Sequence, residues 1–247
     1  MCGICGIIPL SNDVTPDQIY KVMLHLLDGN ETRGRDATGT ASWDVEKPDV
    51  LICKQAETAT IFNKHLLPEH IIGPTIGHCR AKTKGDPSDP ENNHPMFGDK
   101  YCIVHNGMVH SMKNIDTYKY KGQCDTEVLL SYFETHGIKE AIPMIDGSAA
   151  VAIISPLDKM FYLYRHTSPL VVTLFPKTAL VFSSLEYPLK KVADILNVPK
   201  VWGLFTPQST ADFDEGTLFS LNMKTFEVKV ETIKVESKIT GNIRYGV

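Results

Sequence analysis

Short apolar runs, each bounded by turn-forming residues, recur along nearly the whole chain, while amphipathic helical patterns come in groups rather than once after every strand. That grouping argues against a doubly wound parallel sheet and predicts an α+β protein of stacked antiparallel sheets covered by helices. The strand-like runs are 4–8, 39–43, 50–53, 71–80, 101–105, 149–154, 161–164, 170–175 and 179–182, the last four as a meander, with a closing hairpin from 218–221 and 226–230. A helix is expected to start at Thr15-Pro16, where a capping hydroxyl precedes proline at the first helical position, and to run through Ile19, Val22, Met23 and Leu26 to Gly29. Val128, Leu129, Tyr132 and Phe133 mark another over 125–136, closed by Gly137, and 139–144 and 187–196 read as two more. Residues 81–98 contain three prolines, two glycines and two asparagines, which makes them a long loop of the kind that often carries function.

A chain of 247 residues, 43% of them hydrophobic, can bury one sizeable core, so residues 1–247 are read as a single domain with 231–247 as a loosely held tail or a further strand. The net charge of -4 is spread without a basic stripe, which excludes direct nucleic-acid binding as an expected role. No run approaches the roughly 18 apolar residues of a membrane span. The six cysteines (2, 5, 53, 79, 102, 124) lie in a chain too large to need staples and without a charged-then-apolar leader, so they are read as reduced and the protein as soluble and cytoplasmic. Cys2 and Cys5 form a CxxC, yet no second pair or histidine set stands at ligand spacing, so no metal and no cofactor is expected.

Cys2 directly follows Met1, and its small side chain suits removal of the initiator. The product would carry thiol and α-amine on one residue. With a pKa of about 7.7 to 8.0, that amine is largely neutral near pH 7.5 and can take the thiol proton, so nucleophile and base arrive together. Free cysteine is otherwise commonly just a small buried hydrophobe. The flanking Gly3 and Gly6 point to the first reading, because they let backbone approach a reacting carbonyl.

The opening Cys2-Gly3-Ile4-Cys5-Gly6-Ile7, then Arg33-Gly34-Arg35-Asp36-Ala37-Thr38-Gly39, Gly77-His78-Cys79-Arg80, Asn93-His94-Pro95, His105-Asn106-Gly107 and Cys124-Asp125-Thr126-Glu127 stand in the order and spacing of the class II glutamine amidotransferases. The chain resembles that N-terminal-nucleophile family from residue 2 to about residue 170, nearest to the glutaminase domain of glucosamine-6-phosphate synthase. The resemblance implies a four-layer αββα sandwich and a γ-glutamyl thioester on Cys2. It also implies an oxyanion site from the Asn106 amide and the Gly107 N–H, placed at a turn. Arg80 is expected to fork onto the substrate α-carboxylate and Asp125 to accept from its α-ammonium, although Asp125 alone also reads as a helix cap. Thr83 keeps the family's substrate-contacting place. Arg33, Gly34 and Asp36 are expected to fix the N-terminus, and His94 to order the loop, with His78 and His105 structural.

Where sugar-aminating relatives carry a tryptophan after the arginine and a histidine shortly beyond, this chain has Ala81 and Lys84. The expected partners are L-glutamine and a separate synthetase or transferase subunit that receives the ammonia near the 81–98 loop. Formation of a homo-oligomer stays open. Two other readings keep the fold: a non-catalytic glutamine-binding or scaffolding subunit, and an N-terminal-cysteine amidohydrolase acting on another amide.

Overall fold

The structure, a computed structural model, describes residues 1–69, 71–110, 112–198 and 214–235. Its strands pair into two six-stranded antiparallel sheets. The first takes β1 (Gly3–Pro9), β2 (Ala37–Trp43), β3 (Val50–Gln55), β4 (Thr75–Arg80), β9 (Val171–Phe175) and β10 (Ala179–Ser183) in the order β3-β2-β4-β1-β10-β9. The second takes β5 (Met96–Phe97), β6 (Cys102–Val109), β7 (Gly147–Ser155), β8 (Met160–His166), β11 (Thr217–Asn222) and β12 (Val228–Thr232) in the order β12-β11-β8-β7-β6-β5.

The period of two along each strand decides which layer every side chain enters. In β1, Ile4 and Ile8 point between the sheets, where they meet Trp43, Ile76, Val104, Ala152, Phe161 and Phe182. Cys5 and Ile7 point the other way, onto α1 (Pro16–Asn30), whose Ile19, Val22, Met23 and Leu26 form the apolar stripe. The helices α2 (Ala59–His65) and α5 (Val192–Leu196) complete that outer layer. On the opposite face α3 (Asp125–His136) and α4 (Ile138–Ala141) cover the second sheet through Leu129, Leu130, Phe133, Ile138 and Ala141. Three separate apolar clusters therefore mark the three interfaces of a four-layer αββα sandwich.

Thr15 caps α1 as expected, and with Gln18 it completes a capping box. Three expectations are corrected. Gly29 does not end that helix, which continues to Asn30 with Glu31 as its cap. A β-carbon at Gly29 would lie 2.4 Å from Pro188 Cγ, so the glycine serves close packing instead. The strand expected from 71 begins only at Thr75. Most consequentially, the four strands between 147 and 183 are not one meander. β7 and β8 pair in the second sheet and β9 and β10 in the first. The switch falls where Thr167 adopts φ 61° and Pro169, without an N–H, cannot continue a ladder, so the chain crosses from one sheet to the other. The 3₁₀ turn Tyr187–Lys191 runs directly into α5, and β11 and β12 form the expected hairpin. The tail beyond residue 235 lies outside the described residues.

Candidate active site

β1 lies centrally in the first sheet, between β4 and β10, so Cys2, just before it, emerges beside the end of β4. Its Sγ lies 3.4 Å from the Ala81 backbone N, which donates to it, and 3.5 Å from the Ala81 carbonyl oxygen, which accepts from the thiol. The Cys2 carbonyl accepts from Arg33 Nε at 2.6 Å. Arg33 closes the 3₁₀ turn Glu31–Arg33. Gly34 then passes so close to β4 that a β-carbon there would sit 2.2 Å from the Arg80 carbonyl carbon. Asp36 Oδ2 accepts from Lys82 N at 2.6 Å and so holds the loop that follows Arg80.

Arg80 is 2% exposed. Its Nη1 donates to Asn93 Oδ1 at 2.8 Å, and its Nη2 donates to the carbonyls of Lys84 at 2.5 Å and Gly85 at 3.0 Å. Asn93 in turn donates to Pro87 O at 2.7 Å, and Lys54 Nζ donates to Asn93 O and Pro95 O at 3.0 and 3.2 Å. The arginine and the 81–98 loop are thus fastened to each other. That loop also contains the 3₁₀ turn Pro90–Asn92 and the short β5. Thr83 is exposed on it.

His105, Asn106 and Gly107 do not form the expected hairpin turn. They lie inside β6, with Asn106 opposite Ala150 and Gly107 opposite Ala149. An Asn-Gly pair signals a turn only where the chain reverses, and here Gly107 serves a close approach: φ is 153°, and a β-carbon would fall 1.9 Å from Ser148 O. Asn106 is 1% exposed, and its Nδ2 donates to Ser184 Oγ at 3.5 Å. Asp125 opens α3 after Cys124, the N-cap residue, which makes no side-chain capping bond. Its Oδ2 accepts from Val109 N at 2.8 Å, two residues beyond Gly107.

Three buried histidines tie these pieces together. Each partner carbonyl can only accept, so the facing ring nitrogen must carry the proton. His78 Nε2 therefore donates to His105 O at 3.1 Å, and His105 Nε2 to Ser148 O at 3.2 Å. His105 Nδ1 is left to accept from the Thr126 hydroxyl at 2.9 Å. His94 stacks at a tilt on His78, with centroids 3.9 Å apart, and neither of its ring nitrogens has a hydrogen-bond partner among the described residues. Burial pushes all three well towards the neutral form, His78 down to about 3. Burial also raises the Cys2 thiol above its ordinary value; the Ala81 N–H, the N-terminal charge and Arg80 oppose that, and Asp125 adds to it. Cys5 is fully buried against α1 and away from that arrangement, and no group of three or more His, Cys, Asp or Glu able to hold a metal occurs among the described residues.

Sequence reasoning does not identify Ala81 or Ser184. The first acts through its backbone, which no side-chain pattern announces. The second is brought to β1 by a pairing across some 180 residues.

Two stacked antiparallel sheets between helical layers, with a cysteine at the start of a central strand, define an N-terminal-nucleophile hydrolase architecture. In fold the chain is similar to the glutamine phosphoribosylpyrophosphate amidotransferase of B. subtilis, with a TM-score of 0.65 and 19% identity over 94% of this chain and 49% of that one. Residues 78–191 match the model of a glutamine amidotransferase domain family. The glutamine–fructose-6-phosphate aminotransferase (isomerizing) of Francisella tularensis is 32% identical over 191 residues, covering 70% of this chain and 30% of that protein. The enzyme of the same name from Clostridium perfringens is 27% identical over 87% of this chain and 37% of its own. The chain thus carries a glutamine amidotransferase domain similar to those of these enzymes, and it spans about a third of the length of these curated relatives.

Proposed function

We propose that residues 1–247 form one glutamine amidotransferase domain that hydrolyses the side-chain amide of L-glutamine and passes the ammonia to an acceptor on a separate synthetase or transferase subunit in the cytoplasm. The reading rests on one observation above the others. Cys2 Sγ lies 3.4 Å from the Ala81 backbone N–H, directly after the buried Arg80, and the Cys2 carbonyl is fixed by Arg33. With Met1 attached the Cys2 nitrogen is an amide and no base. Once Met1 is removed, the α-amine can take the thiol proton that burial makes hard to lose to water.

Sγ then bonds to the carboxamide carbon. The oxyanion is met by the Asn106 amide and a backbone N–H at Gly107, and the amine returns the proton to the departing nitrogen, so that the C–N bond breaks and ammonia leaves a γ-glutamyl thioester. Water adds to the thioester, and glutamate departs as the thiol regains its proton. Arg80 Nη1 keeps one N–H beyond its bond to Asn93 and can donate it to a substrate carboxylate, and Asp125 Oδ1, which takes a 3.6 Å contact from Cys124 Sγ, can accept from an ammonium. This two-ended grip favours a free amino acid over other amides.

The same engagement of Arg80 by Lys84 and Gly85 supports a second reading, a glutamine-binding subunit without turnover. One experiment separates the two. The protein is checked for loss of Met1 by intact mass, treated with diazo-oxo-norleucine, and assayed for glutamate release with and without candidate partner subunits. An adduct on Cys2 with partner-stimulated turnover is expected. Removal of Met1 with neither adduct nor turnover would rule the enzymatic reading out.

A further inference from the structure

Ser184 follows the last residue of β10 and is 3% exposed. Its backbone N donates to Ile4 O at 2.8 Å, while its Oγ accepts from Ile4 N at 3.0 Å, so one residue satisfies both main-chain groups of the strand position two beyond Cys2. The same Oγ accepts from Asn106 Nδ2 at 3.5 Å. Ile4 is in the first sheet and Asn106 in the second. A single buried hydroxyl thus joins the strand that carries the nucleophile to the side chain that faces the developing oxyanion. Both lone pairs of the oxygen are used by these two donors, so Ser184 has only its O–H left and cannot act as a base towards Cys2.

We infer that Ser184 is a positioning residue for glutamine hydrolysis, holding one N–H of the Asn106 amide so that the other is aimed at the oxyanion formed next to Cys2. The inference rests on the glutaminase reading above. An amide that accepts no such restraint can rotate about its side-chain torsions, and an oxyanion donor works only when it is already in place. The consequence is specific to chemistry that generates an oxyanion. Attack on the amide should suffer when the hydroxyl is removed. Alkylation of the same sulfur by iodoacetamide, a displacement that forms no oxyanion, should not.

The test uses full-length protein with Met1 shown by mass to be absent. Cys2→Ala serves as the reference: wild-type turnover that this substitution abolishes establishes the reaction, whereas a wild type without turnover defeats the glutaminase reading itself. Given an active wild type, Ser184→Ala is expected to lower kcat about tenfold or more with KM changed less than twofold, and to leave the iodoacetamide rate at Cys2 within twofold of wild type. In an Asn106→Ala background, Ser184→Ala should cause no further loss, because the residue acts through that amide. If Ser184→Ala does not fold, Ser184→Cys, of nearly the same size and with a weaker acceptor, gives the same readouts with a smaller fall in kcat. Unchanged kcat in the folded variant overturns the inference, and so do losses that multiply in the double variant or an alkylation rate that falls in step with kcat.

Discussion

Acidification should unfold this protein through its histidines before its carboxylates are protonated. His78 is fully buried, its Nε2 proton is committed to His105 O, and burial lowers its pKa from 6.5 to about 3, the bond to His105 O opposing that shift and the charges of His105 and Arg80 adding to it. Because the folded value lies below the unfolded one, the unfolded chain binds the extra proton as pH falls, and stability is complete above 6.5 and declines between 6.5 and about 3. Each pH unit within that window costs about 1.4 kcal/mol for one such group, so His78 alone removes about 3 kcal/mol by pH 4.5. Typical domains hold about 5 to 15 kcal/mol in total. His94 and His105 shift in the same direction and steepen the decline. Urea unfolding followed at pH 7.0, 6.0, 5.0 and 4.5 measures the slope, and His78→Gln, whose amide can still donate to His105 O, should make it shallower by about 1.4 kcal/mol per pH unit. A stability that stays flat from pH 7 to 4.5, or a slope unaltered by His78→Gln, would refute the reasoning.

Other substitutions probe the site and the scaffold separately. Cys2→Ala should abolish glutamate release while leaving the melting temperature within a few degrees of wild type, measured by calorimetry and a coupled glutamate assay. Arg33→Ala removes the 2.6 Å bond to the Cys2 carbonyl and should lower kcat by more than it raises KM, as steady-state kinetics would reveal. Gly107→Ala forces a β-carbon to within 1.9 Å of Ser148 O and should cost about 2 kcal/mol or more in urea unfolding, together with most of the turnover. Thr15→Ala dissolves the capping box of α1, far from Cys2, and should cost about 1 kcal/mol of stability with kcat unchanged.

How much of this was legible beforehand follows from the range over which each signal acts. The α1 start is written within four residues, Thr15 to Gln18, and α3 is bounded by Asp125 and Gly137, so local chemistry suffices for both. Sheet membership is different. β8 and β9 have similar apolar content, and nothing in their periodicity says that one pairs with β7 and the other with β10. The short helix α2 has only seven residues, and its cap at Thr58 precedes too brief a pattern to be read. Asn106-Gly107 misled for a similar reason: the pair that favours a tight reversal also suits a strand whose neighbour comes too close for a side chain. Short strings placed Cys2, Arg33, Arg80, Asn106 and Asp125 in a plausible constellation. The roles of Ala81, Asn93 and Ser184 depend on main-chain geometry and on contacts across distant parts of the chain, and those exist only once the sheets are stacked.

The central position of β1 also sets an order of events during synthesis. One flank of that strand cannot be occupied until residues 179–183 have been made, long after residues 3–9. β1 must therefore wait, unpaired on that side, while the intervening residues are made, and the residues before it stay open to processing until the sandwich closes. Met1 stays 81% exposed even in the finished fold, so the removal that the proposed mechanism requires need not precede assembly.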